Sequence, residues 1–214
     1  MKAFEHFKSP TTPYTLPYLL TRPEGSEGEA LPLIVCLHGA GERGDSEQVL
    51  CVHGVPRYFS ANAEHGGIRA VTLSPQCPQG DIWSNFPSVI MELILHVAHR
   101  EGVDMNRISI TGLSMGGFGT WSMLAQFPNF FSAAAPICGG GVSWYINTKT
   151  PIRAFHGDKD DVVPLIYSQL MVDAVNSRGG NATLKIFEGC DHGSWEPAYE
   201  QTDVLAWLAA AKRD

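Results

Sequence analysis

Gly112-Leu113-Ser114-Met115-Gly116 sets a serine between two glycines where an apolar run ends. A serine hydroxyl is a poor nucleophile unless a base takes its proton. That base in turn needs an acid to orient it. On a strand–turn–helix scaffold such a trio follows the chain order serine, then aspartate or glutamate, then histidine. Only His156 and His192 follow Ser114. His156 stands at an expected strand end in FHGDKDDVVP, and His192 stands in FEGCDHGSWEPAY, past the last expected strand. The order selects His192 as the base and leaves His156 to build its loop. Asp158, Asp160 and Asp161 crowd behind Phe155. Spacing does not choose the acid among them, and one of them serves equally well as a helix cap before Pro164. The chemistry of such a trio is acyl transfer, whose tetrahedral intermediate needs N–H donors for its oxyanion. The amide of Met115 is one. LHGAGERGD, residues 37–45, offers the second from Ala40 or Gly41.

These residues need elements that deliver them to one place. The bare G-x-S-x-G pattern is weak, because 15 serines and 22 glycines in 214 residues yield about 0.16 matches by chance. Its setting strengthens it. Residues 107–111 read as a strand and Met115 begins a helical pattern that Pro128 must end. In a turn that sharp, side chains at 112 and 116 would collide, and glycines at 117 and 119 let the helix approach the sheet closely. The competing reading of Ser114 is a helix N-cap. Short apolar runs at 33–37, 69–73, 108–111, 133–137 and 152–155 read as strands buried on both faces, and 183–187 alternates like an edge strand. Helical patterns occupy 87–100, 114–126, 165–178 and 196–212, with another helical piece near 47–58 inside the long connection 39–67. Strands alternating with helices predict a mainly parallel sheet covered on both faces, with reactive groups at the C-terminal strand ends. The length and the 44% hydrophobic composition predict one domain over residues 1–214.

Composition excludes several classes. A net charge of −7 with no basic run gives no footprint for nucleic acid. No segment approaches 18 consecutive apolar residues, and the N-terminus lacks the pattern of a signal peptide. The five cysteines are scattered without a C-x-x-C pair, which points to a reducing cytoplasm rather than a disulfide framework or zinc site. Glu92, His96 and His99 share a helix face in metal-like spacing but read as a solvated face. No metal and no cofactor is expected. Trp83, Trp144 and Trp195 follow expected strand ends or motifs and are candidates to line a substrate pocket. Arg43 and Asp45 read as a local ion pair or as water-facing.

With these motifs in view, the chain resembles the α/β-hydrolases, in particular the small phospholipase/carboxylesterase and dienelactone-hydrolase-like branch. The resemblance runs from about Tyr14 to the C-terminus. It rests on LHGAGERGD, SPQCPQ, NRISITGLSMGGFGTW, PICGGG, HGDKDDVVP and DHGSW. It implies the α/β-hydrolase fold, with a mainly parallel central sheet flanked by helices and no lid or cap domain, since residues 139–150 leave little room for one. It implies Ser114 as nucleophile, His192 as base, Asp160 as acid (with Asp161 the runner-up) and the amides of Ala40 and Met115 as oxyanion donors. Dienelactone hydrolases proper carry a cysteine where this chain has Ser114, which points away from that specific activity. The implied activity is cleavage of carboxylic esters. The short 139–150 connection, which predicts an open and shallow pocket, adds a preference for short acyl groups. A small-molecule ester is the only expected partner, with neither nucleic acid nor membrane involved. The same machinery permits thioester or small-amide cleavage. A non-catalytic binding protein on this scaffold would typically lack a member of the trio. Oligomeric state is left open.

Overall fold

The structure, a computed structural model, describes residues 1–60 and 65–213. Eight strands form one sheet: β1 (Lys2–Lys8), β2 (Thr15–Thr21), β3 (Leu33–Leu37), β4 (Val71–Pro75), β5 (Ile108–Leu113), β6 (Ala133–Ile137), β7 (Ile152–Gly157) and β8 (Ala182–Phe187). Their order is β1-β2-β4-β3-β5-β6-β7-β8. All pairings from β4 through β8 are parallel, whereas β1–β2 and β2–β4 are antiparallel. Strands β3 and β5 hold the middle, and every residue of both is buried. The edge strand β8 buries only Ala182 fully. The continuous apolar runs thus become central strands and the alternating run an edge, because only central strands are covered on both faces.

Seven α-helices are described: α1 (Glu47–Leu50), α2 (Gly54–Phe59), α3 (Pro87–Glu101), α4 (Met115–Gln126), α5 (Ile166–Ser177), α6 (Trp195–Glu200) and α7 (Val204–Ala210). Alternation along β3 sends Leu33, Val35 and Leu37 into a core with the apolar sides of α3, α4 and α5. Ile34 and Cys36 face the opposite core, closed by α2, α6 and α7. Helix α3 stops at Gly102, which adopts φ 62° as a left-handed C-terminal residue.

Three expectations need correction, and one hairpin is added. The β1–β2 hairpin is absent from the sequence reading, because Pro17 marks its run as a poor strand. Pro17 is tolerated because β2 pairs with β4 only from Tyr18 onward. The single helix expected over 196–212 is two helices. Thr202 Oγ1 donates to the Ala198 carbonyl at 2.6 Å and accepts from the Val204 amide at 3.2 Å, so local side-chain bonds replace a helical turn. The helical piece near 47–58 is also two helices, α1 and α2; of the connection 39–67, residues 61–64 lie outside the described residues. The strand expected at 69–73 lies two residues later. The connection 139–150 contains no helix or strand, and no helix among the described residues is long and apolar enough to cross a membrane.

Candidate active site

Ser114 joins β5 to α4 with φ 53° and ψ −117°. A non-glycine residue in that region carries strain that its surroundings must hold. Here the Ser114 amide donates to the Ile137 carbonyl at 3.0 Å, and its own carbonyl accepts from Phe118 at 3.1 Å. The flanking glycines make the turn possible. A Cβ on Gly112 would stand 2.3 Å from the Gly116 carbonyl oxygen, and one on Gly116 would stand 1.9 Å from that of Leu37. Gly116→Ala is therefore expected to cost about 3 kcal/mol or more of stability, at or beyond the upper end for overpacking, since the obstacle is backbone. Gly41→Ala, whose Cβ meets nothing within 4 Å, stays within about 1 kcal/mol of wild type. Urea midpoints compare the two; equal midpoints would contradict the packing argument.

Strand β7 and the loop after β8 bring the remaining partners. Ser114 Oγ lies 2.8 Å from His192 Nε2, and His192 Nδ1 lies 2.8 Å from Asp160 Oδ2. A carboxylate only accepts, so Nδ1–H donates to Asp160 and Nε2 is left to accept the serine proton. Asp160 is fully buried at its side chain. Its Oδ1 accepts from the amides of Val162 at 3.0 Å and Val163 at 2.8 Å. Burial alone would raise its pKa, but the bonds from His192 and from those amides outweigh burial and hold the carboxyl below its ordinary value. Asp158 instead accepts from the Gly189 amide, and Asp161 is exposed. His156 is buried, with Nδ1 2.7 Å from Ser168 Oγ and Nε2 2.8 Å from the Val163 carbonyl. Its Nε2 is also 3.2 Å from Asp160 Oδ2. It braces the loop that carries Asp160.

Ala40 and Met115 open their helical turns, so neither amide has an acceptor within its own turn. Ala40, Gly41, Leu113, Ser114, His192 and Trp195 line a cavity of about 290 Å³. Its remaining walls include Glu42, His53 and Val162, which the sequence reading did not single out. A glutamate in a glycine-rich turn reads as a surface residue, so the sequence carries no signal for Glu42. A larger cavity of about 700 Å³ runs along α4 from Phe118 to Gln126 and includes neither Ser114 nor His192.

Of the three tryptophans, Trp195 lines the serine cavity, edge-on to His192 with ring centroids 5.4 Å apart. Trp83 is a core residue instead. It is 1% exposed, and its Nε1 donates to the His38 carbonyl at 2.9 Å, supporting the loop from below. Trp144 is 73% exposed and lines neither cavity. Arg43 and Asp45 do not pair: Arg43 donates to the carbonyls of Asp81 and Ala40, and Asp45 contacts His6. Glu92 is engaged by the hydroxyls of Ser9 and Thr11 rather than by a neighbouring histidine. Cys138, Asp160 and His192 bring three metal-capable atoms within 4.8 Å. The Asp160 and His192 atoms bond each other, and burial pushes the Cys138 thiol up to about 12, so the set is poorly suited to a metal.

The model of the dienelactone hydrolase family matches residues 81–212. A poly(3-hydroxyalkanoate) depolymerase C of Paucimonas lemoignei is 27% identical over 136 residues, covering 61% of this chain and 33% of that protein. The chain spans a third or less of the first curated relatives it matches. A solved thermostable esterase is 34% identical with a TM-score of 0.81, covering 99% of this chain and 63% of the other. An S-formylglutathione hydrolase from Agrobacterium tumefaciens is 15% identical with a TM-score of 0.72, covering 100% and 96%. The fold is that of the α/β-hydrolases.

Proposed function

The chain belongs to the dienelactone hydrolase family, and on that premise we propose that it is a serine carboxylesterase working through Ser114, His192 and Asp160. The observation that carries this reading is the unbroken hydrogen-bonded path from Asp160 through His192 to Ser114, ending in an accessible cavity. Ser114 Oγ attacks the acyl carbonyl while His192 Nε2 takes its proton. The carbonyl oxygen becomes an oxyanion held by the N–H groups of Ala40 and Met115. His192 returns the proton to the departing alcohol, and the acyl group stays on Ser114. Water, losing a proton to His192, attacks the acyl-enzyme, and the acid leaves with Ser114 restored. Asp160 fixes the imidazole tautomer and stabilises the imidazolium that forms twice in each cycle.

The cavity at Ser114 is small, and each methylene buried there contributes only about 0.8 kcal/mol. kcat/KM is expected to peak at acyl chains of roughly two to six carbons. No rate jump is expected when substrate forms an emulsion, because the 139–150 connection is too short to form a lid. A panel of 4-nitrophenyl esters of increasing acyl length tests this. Activity that keeps rising through long chains would sink the short-chain reading and put the acyl tail in the larger cavity along α4.

A further inference from the structure

The cavity at Ser114 carries polar groups that the acyl-transfer cycle does not use. Glu42 is 7% exposed, and its Oε2 has no hydrogen-bond partner among the described residues. Trp195 Nε1 is buried and likewise unpartnered. Both residues line the cavity together with Ser114 and His192. Unpaired buried polar atoms are rare in folded proteins, and each one requires a reason.

The neighbourhood explains why Glu42 stays unpaired. His38 Nδ1 is 3.8 Å from Glu42 Oε2, beyond a hydrogen bond. His38 Nε2 accepts from the Cys77 amide at 2.9 Å, so its single proton is on Nδ1, where it meets the Gly39 carbonyl at 2.5 Å. Burial lowers the His38 pKa to about 4, which keeps the ring neutral and without a second proton to offer. Arg43, the next residue, directs its guanidinium to the carbonyls of Asp81 and Ala40. His53, on the same cavity, has its Nδ1 3.3 Å from Glu196 Oε1 without an aligned bond, and Glu196 is clasped by Arg57. The carboxylate is also close to the reacting serine. A Cβ placed on Gly39 would stand 3.1 Å from Glu42 Oε2 and 3.7 Å from Ser114 Cβ.

We propose that Glu42, with Trp195, is a specificity-determining pair that selects esters bearing a hydroxyl group near the scissile bond. A hydroxyl supplies one donor and two acceptor lone pairs. It therefore carries both the donor that Glu42 lacks and the acceptor that Trp195 lacks. An alkyl group satisfies neither, an ammonium leaves the indole N–H unpaired, and a carboxylate faces Glu42 with like charge. This inference rests on the esterase reading above and names its substrate class.

Two matched pairs test it and locate the hydroxyl. Ethyl 3-hydroxypropanoate against ethyl butanoate probes the acyl side. 2-Hydroxyethyl propanoate against propyl propanoate probes the alcohol side. Each kcat/KM ratio is divided by the ratio of alkaline hydrolysis rates to remove intrinsic reactivity. Wild type is expected to favour the hydroxylated member of one pair about tenfold or more, as befits a hydrogen bond to a charged group. In Glu42→Leu the ratio falls toward one while Tm holds or rises, because a buried unpaired carboxylate is removed. Glu42→Gln keeps the shape, and its ratio falls by a few-fold, which carries the test if the leucine variant does not fold. Corrected ratios near one in both wild-type pairs, or a ratio that survives Glu42→Leu, overturn the inference. Ser114→Ala is measured on the same esters. If it abolishes hydrolysis while the wild-type ratios are near one, the esterase reading stands and only the selectivity fails. If it retains hydrolysis, or wild type cleaves none of the four, the esterase reading itself fails.

Discussion

Ser114→Ala is expected to lower kcat on a short-chain ester by at least ~10³-fold with the fold intact. The hydroxyl is the only atom that forms the acyl bond, and its removal leaves the oxyanion donors and substrate binding alone to act on water. Little should change elsewhere. Ser114 holds its unusual φ through backbone bonds to Ile137 and Phe118, not through its side chain, and alanine relieves no clash. Circular dichroism and Tm report the fold. Stopped-flow release of 4-nitrophenol reports the acyl-enzyme burst, which vanishes in the variant. Turnover within tenfold of wild type would falsify the nucleophile assignment.

Asp160→Asn is expected to cost on the order of 10⁴-fold in kcat. An amide at this position offers His192 Nδ1 an N–H as readily as a carbonyl, so the imidazole adopts the tautomer with its proton on Nε2, facing Ser114 Oγ. Asp161→Asn and Asp158→Asn, whose side chains do not reach His192, are expected to stay within about tenfold. A larger loss at 161 than at 160 would move the acid by one residue. The same carboxylate shapes acid stability. Its folded pKa lies below the ordinary 3.8. Its contribution is therefore present above that value and is lost as pH falls through the lower folded value. Urea unfolding followed through this window should show a shallower acid decline in Asp160→Asn than in wild type. Parallel declines would assign the acid sensitivity to other carboxylates.

Much of this protein was legible before any coordinate. Ser114 and His192 follow from chain order because a β/α alternation delivers successive strand ends to one rim, whatever the details between them. The roles of Gly112 and Gly116 follow from the sharpness of the turn, and their Cβ positions would indeed strike backbone. The β1–β2 hairpin was not legible, since Pro17 speaks against a strand locally and only the register with β4 makes it harmless. The break between α6 and α7 was hidden for a related reason. It depends on which backbone groups Thr202 reaches, and hydropathy periodicity does not register that.

Side-chain direction is where sequence and tertiary structure part. Three aspartates within four residues are equivalent to a pattern, and resemblance alone favoured Asp160. Loop geometry tells them apart: the Val162 and Val163 amides hold the Asp160 carboxylate beside His192, whereas Asp161 is exposed. Three tryptophans beside motifs were equally indistinguishable. One lines the cavity, one is buried beneath the loop, and one faces water. Glu42 in a glycine-rich turn is in sequence an ordinary surface residue. Only packing against Gly39 and beside His38 makes it a buried carboxylate at the reacting serine. Residue order and hydrophobic period determined the strands from β3 to β8 and which residues reach their shared C-terminal rim, because those are properties of local backbone and chain topology. Which atoms meet there was decided by three-dimensional packing, which fixes the few ångströms over which hydrogen bonds act.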